Sequence, residues 1–110
     1  MAQGNVLIAI FNESKEFPDG KSIIRQITPA NSNGMTDIKV DLPDGEYAAA
    51  VFLDENKNNK LDKNILGIPK EMFGFSNNPK VLTGPPTFYE SEIVVGDAQS
   101  NFKIKLIKLL

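Results

Sequence analysis

Apolar positions along this chain recur every second residue or in short unbroken runs, and nowhere with the spacing of an amphipathic helix. Residues 6–11 (Val-Leu-Ile-Ala-Ile-Phe) are apolar throughout, which predicts a strand buried on both faces. Residues 22–28 form a second β-branched run. In residues 35–42, Ile38, Val40 and Leu42 share one side and Asp37, Lys39 and Asp41 the other, the period-two pattern of a half-buried strand. In residues 46–53, Tyr47, Ala49, Val51 and Leu53 alternate with Ala48, Ala50 and Phe52, the alanines marking a place where another element comes close. Residues 92–95 are short and β-branched, and in 101–110 Phe102, Ile104 and Leu106 alternate with Lys103, Lys105 and Ile107. Phe17-Pro18-Asp19-Gly20, residues 29–34 and Pro43-Asp44-Gly45 read as turns or loops between these runs. The pattern predicts an all-β chain, a β-sandwich of about seven strands forming a single domain over residues 1–110.

Residues 65–91 break the rhythm. They hold Pro69, Pro79, Pro85 and Pro86 together with Phe73, Phe75, Phe88 and Tyr89. A polar linker lacks such aromatics, and a strand rejects such prolines. The segment therefore reads as a long ordered loop folded over one end or edge of the sandwich, with Phe73 or Phe75 buried and Ser76-Asn77-Asn78 at the surface.

Composition narrows the chemistry. With 110 residues, 41% hydrophobic and 24% charged, the chain has the balance of one soluble globular domain. A net charge of −2 without a basic stripe argues against nucleic acid, and the longest apolar run is far too short to span a bilayer as a helix. There is no cysteine, hence no disulfide or thiolate chemistry, and no histidine, which removes the usual general base near neutral pH and most zinc sites.

The densest chemistry lies in residues 54–62, Asp-Glu-Asn-Lys-Asn-Asn-Lys-Leu-Asp. Oxygen side chains recur at Asp54, Asn56, Asn58 and Asp62. Aligned with an EF-hand loop, the first three take the leading ligand places, Lys60 offers its carbonyl, and Asp62 acts directly or through water. Asn59 stands where glycine makes the sharp turn, and Ile65 where a bidentate glutamate belongs. Two carboxylates with amides for the rest imply weak Ca²⁺ binding, in the extracellular range of ~10⁻⁴ to 10⁻³ M. The competing reading is an Asx-rich loop whose side chains bond their own backbone. Glu71 is a candidate to complete the metal shell from a distance.

A second constellation, Glu71, Phe73, Phe75, Ser76 and Asn77, combines stacking faces with hydrogen-bonding groups, which suits a protein, peptide or glycan surface. The competing reading has the aromatics cap the sandwich while the asparagines make turns. Catalysis has little support: Ser76 has no histidine to activate it, and nothing in the sequence brings Glu71, Glu90 and Glu92 together.

Leu42-Pro43-Asp44-Gly45-Glu46-Tyr47, followed by Ala49-Ala50-Val51-Phe52, resembles the opening of a strand in prealbumin-like (transthyretin-like) sandwiches. Together with Asp54-Glu55-Asn56-Lys57-Asn58, Leu61-Asp62, Gly67-Ile68-Pro69-Lys70-Glu71 and Gly74-Phe75-Ser76-Asn77, the chain is similar to the bacterial domain of unknown function 2141 family. Asn59 and Met72 stand where that family usually or often has glycine. The resemblance implies a prealbumin- or immunoglobulin-like sandwich and a mature exported protein, periplasmic or at the cell surface, whose signal peptide is absent from this chain. It supplies no activity. The expected function is a non-catalytic exported module with a Ca²⁺-dependent loop and a protein, peptide or glycan ligand. The alternatives are a purely structural envelope or surface domain, and a hydrolase using Glu71.

Overall fold

The computed structural model describes residues 4–61, 63, 69–81, 84–96 and 101–109. Among them the chain forms strands β1 (Asn5–Phe11), β2 (Ile24–Pro29), β3 (Gly45–Asp54), β4 (Phe73–Phe75) and β5 (Glu92–Val95), with one 3₁₀ turn at Tyr89–Ser91 and no α-helix. All five strands belong to one antiparallel sheet, ordered β2-β1-β3-β4 with β5 also paired to β3. The strand that is apolar on both sides, β1, pairs on both edges, whereas β2 is an edge strand and tolerates Pro29.

The register shows how β3 organises the sheet. Ala48 faces Phe11 of β1 on one edge and Glu92 of β5 on the other, so β5 lies on the edge away from β1. β4 occupies that same edge further along, at Ala50, Val51 and Phe52. Two short strands thus share one edge of β3 end to end, and Ala49 falls at their junction.

One face of the sheet carries Val6, Ile8 and Ile10 of β1 and Tyr47, Ala49, Val51 and Leu53 of β3, all buried. Ile38, Val40, Leu42, Ile104 and Leu106 pack over it. The alternation expected in 35–42 is therefore present as burial, and that expected in 101–110 holds at Ile104 and Leu106 but not at exposed Phe102 or half-buried Ile107; neither segment is a ladder strand among the described residues. One-sided packing produces the same period as pairing does. The later segment is tied to the sheet by the bridge Phe73↔Ile107, whose two backbone bonds are 2.9 and 2.8 Å. Asn78 adds a side-chain equivalent of a strand partner: its Nδ2 donates to the Lys103 carbonyl at 2.9 Å, and its Oδ1 accepts the Lys105 N–H at 2.8 Å. Approach is close enough that a Cβ on Gly74 would lie 2.7 Å from the Lys105 carbonyl oxygen.

Toward the Phe11 end, the opposite face is closed by aromatic packing. Phe17 meets Phe11, Phe75 and Phe88 edge to face, with centroids 5.3, 5.8 and 6.2 Å apart. Ala48 sits beneath them with no exposed surface, the crowding that its small side chain implied.

Candidate functional site

The loop after β3 is organised by Asp54, which is fully buried at the strand's last position. Its Oδ1 accepts the Asn58 N–H at 3.2 Å and its Oδ2 the Asn59 N–H at 2.7 Å. Asn56 Oδ1 also accepts from Asn58 N, at 3.3 Å, and Asn58 Oδ1 accepts from Lys60 N, at 3.0 Å. Lys57 and Asn59 take left-handed φ values of 57° and 62°. Asn59 thus makes the sharp turn at the place expected of glycine, using a conformation that asparagine tolerates.

Glu71 reaches the same loop. It is buried, 6% exposed, and its Oε2 accepts the Glu55 N–H at 2.8 Å, sixteen residues away in sequence. A second carboxylate therefore joins the residue next to Asp54. Asp62 and Ile65 lie outside the described residues, and so do residues 66–68 and 82–83 of the expected long loop. Among the described residues no three acidic or histidine side chains converge as a metal cluster. Among the described residues, the oxygens that this loop offers a cation are those of Asp54, Glu71, the Asn56 and Asn58 amides and backbone carbonyls such as that of Lys60. Carboxylates and amide oxygens are the donors Ca²⁺ prefers.

The remaining expected binding residues serve the fold. Residues 65–91 are not a loop throughout, since Phe73–Phe75 forms β4 and Tyr89–Ser91 a 3₁₀ turn. The period-two Phe-Gly-Phe was the available signal for that strand, obscured by its length of three residues. Phe73 is 4% exposed and Phe75 partly buried in the aromatic cluster. Ser76, expected at the surface, is fully buried: its Oγ accepts the Ala49 N–H at 2.9 Å and donates to the Ser91 carbonyl. Asn77 and Asn78 are exposed as expected, but the Asn77 amide donates to the Glu92 carbonyl. Ser76 and Asn77 thus splice the junction where β4 and β5 meet along β3.

Of the three glutamates that might have formed a carboxylate pair, Glu71 joins the loop and Glu90 closes a small box with Thr87. In that box Thr87 N donates to Glu90 Oε1 at 2.9 Å and Glu90 N to Thr87 Oγ1 at 3.2 Å. Glu92 pairs instead with Glu46, which the sequence did not indicate. Partial burial raises the Glu92 carboxyl above its ordinary value of 4.5, and repulsion from Glu46 and a hydrogen bond with it add to the rise. Two carboxyls in direct hydrogen bond are closer than the ~5 Å of a retaining glycosidase pair, so they lack the spacing of that reaction.

No helix among the described residues is long and apolar enough to cross a membrane. A family model described as an uncharacterized protein conserved in bacteria (DUF2141) matches residues 1–103. No curated protein and no solved structure is similar enough to match the chain.

Proposed function

This chain belongs to the DUF2141 family of proteins conserved in bacteria, and we propose that it is a non-catalytic, exported module of prealbumin-like sandwich design whose loop after β3 takes up Ca²⁺. The observation that carries this reading is that two buried carboxylates, Asp54 and Glu71, each bond the backbone of one loop otherwise furnished with amide oxygens. Glu71 stands in for the bidentate glutamate that the loop's own sequence lacks at Ile65. Weak affinity suits an exported protein, because extracellular calcium is abundant enough to fill sites of ~10⁻⁴ to 10⁻³ M. The sandwich reading is supported by the second layer that residues 36–42 and 104–106 lay over the sheet. Export rests on the resemblance of the blocks quoted above to a family of mostly exported proteins. A protein, peptide or glycan ligand at Phe73, Phe75, Ser76 and Asn77 has weaker support, because these groups are turned largely to the protein's own backbone and core.

The test is a thermal melt in Ca²⁺ and in chelator. With a dissociation constant of ~0.1–1 mM, 1 mM Ca²⁺ stabilises the fold by roughly 0.4–1.4 kcal/mol, a rise of about 2–6 °C for a domain of this size. Mg²⁺ should do less, since it demands a tighter octahedral cage. Asp54→Asn and Glu71→Gln, which keep shape and an acceptor oxygen, should each abolish the shift. Identical melts in Ca²⁺ and chelator would leave a purely structural Asx loop, the reading favoured by the bonds from Asp54, Asn56 and Asn58 to the loop's own N–H groups.

A further inference from the structure

The two faces of the sheet are not equally filled. The first is covered by residues 36–42 and 104–106; on the second, Phe11, Phe17 and Phe88 form a buried cluster and Leu7 and Phe73 are buried too, while Ala9, Ala50, Phe52 and Phe75 are only half-buried. Further along, the second face forms the floor of a cavity of about 620 Å³. Its floor includes Leu7, Ala9, Ala50, Phe52, Phe73 and Phe75. Ala9 and Ala50 are direct cross-strand partners in β1 and β3, and Phe52 and Phe73 are partners across β3 and β4. Two adjacent methyl side chains between larger neighbours hollow a trough in the sheet, and the aromatic rings line its side. Of the two alanines on this face of β3, Ala48 is fully buried within the aromatic cluster, while Ala50 touches that cluster, is half-buried and also lines the cavity.

The polar groups of this cavity carry an asymmetry of charge. Among the described residues, Arg25 and Lys63, both exposed, line it together with one acid, Asp19. Arg25 is held in place, its Nη2 donating to the Asn59 carbonyl at 3.3 Å. A guanidinium fixed at the edge of an apolar trough offers a carboxylate a directed, charge-assisted partner. Concave apolar sites of ~300–1,000 Å³ with a few placed polar groups are the usual form of small-molecule pockets.

We propose that this cavity binds a monoanionic amphiphile, an alkyl or aromatic body lying on the Ala9–Ala50 trough with its single carboxylate at Arg25 and Lys63. The site lies on the sheet itself and needs no bound metal. Its success or failure is therefore read separately from the calcium melt.

The experiment is titration of the ¹⁵N-labelled full chain with decanoate and with decanol, followed by amide shifts. Decanoate should saturate at one equivalent and move amides in β1, β3 and β4 around Ala9, Ala50 and Phe73, leaving residues 36–42 unmoved. Decanol should bind roughly tenfold more weakly, the loss of one charge-assisted contact. Arg25→Gln should bring decanoate down to the level of decanol and leave decanol unchanged. Ala50→Ile, which adds bulk to the trough at a position favourable to a β-branched residue, should weaken both ligands together. If that variant fails to fold, the wild-type shift map decides alone. No saturable binding of decanoate, shifts confined to the other face, or equal affinity for decanol and decanoate would each overturn the proposal.

Discussion

Replacing Ser76 by alanine removes one oxygen atom at the junction between β4 and β5. That oxygen accepts the Ala49 N–H at 2.9 Å and donates to the Ser91 carbonyl, and Ser76 and Ser91 are fully buried. The Ser76 N–H to Ala49 carbonyl bond, at 3.0 Å, does not depend on the side chain and should remain. The mutation thus strands a buried donor on β3 and takes a donor away from Ser91. A lost neutral hydrogen bond costs about 0.5–1.5 kcal/mol and a stranded buried group about 1–3 kcal/mol, so a total of about 1.5–4.5 kcal/mol is expected. With an unfolding entropy near 2.1 cal/mol/K per residue, this lowers the melting midpoint by roughly 6–19 °C. Differential scanning calorimetry of the purified variant reads the shift, and amide exchange at Ala49 should quicken locally. Asn77→Ala is the control: its amide bonds the neighbouring Glu92 carbonyl from an exposed position, and its loss should cost less than about 1 kcal/mol. A Ser76→Ala midpoint within about 2 °C of wild type would refute the splice, since so small a change is surface-mutation scale.

Tyr47→Phe should cost about 0.5–1 kcal/mol by chemical denaturation. Its buried ring stays in place while the hydroxyl's 2.6 Å bond to the Pro43 carbonyl is lost, and exposed Pro43 can turn to water. Gly74→Ala should destabilise by about 1–3 kcal/mol through overpacking, because the new methyl meets the Lys105 carbonyl oxygen at 2.7 Å and Ile104 Cγ2 at 3.0 Å. A wild-type melting point in that variant would show that residues 104–106 are not seated on β4. For Glu92 the folded state favours the protonated carboxyl, so its contribution to stability is fully present below the ordinary value of 4.5 and is lost as pH rises through the raised folded value. Glu92→Gln should flatten that part of the stability–pH curve; an unchanged slope in the variant would show that Glu46 and Glu92 do not share a proton.

The local pattern determined much of this protein. Alternation and unbroken apolar runs identified β1, β2, β3 and β5 and assigned Tyr47, Ala49, Val51 and Leu53 to one face, because a pleated strand places successive side chains on opposite sides whatever its partners. Pro43-Asp44-Gly45 announced the turn to which the Tyr47 hydroxyl bonds back. The Asx spacing from Asp54 to Asn58 announced a loop wrapped around Asp54, since short polar side chains reach only backbone a few residues away. Tertiary structure decided the rest. Residues 36–42 have the period of a strand, yet their partner is a packed face instead of a ladder, and period alone does not distinguish the two. Ser76 looked like a surface residue beside two asparagines, but β4 and β5 meet at Ala49 and leave there one N–H that only its hydroxyl satisfies. The pairing of Glu92 with Glu46, the bond of Glu71 to the Glu55 N–H, and the trough at Ala9 and Ala50 all join residues from different strands or loops. Such contacts depend on register and on which edge each strand takes, quantities set by the packing of the whole sheet and carried by no short stretch of chain.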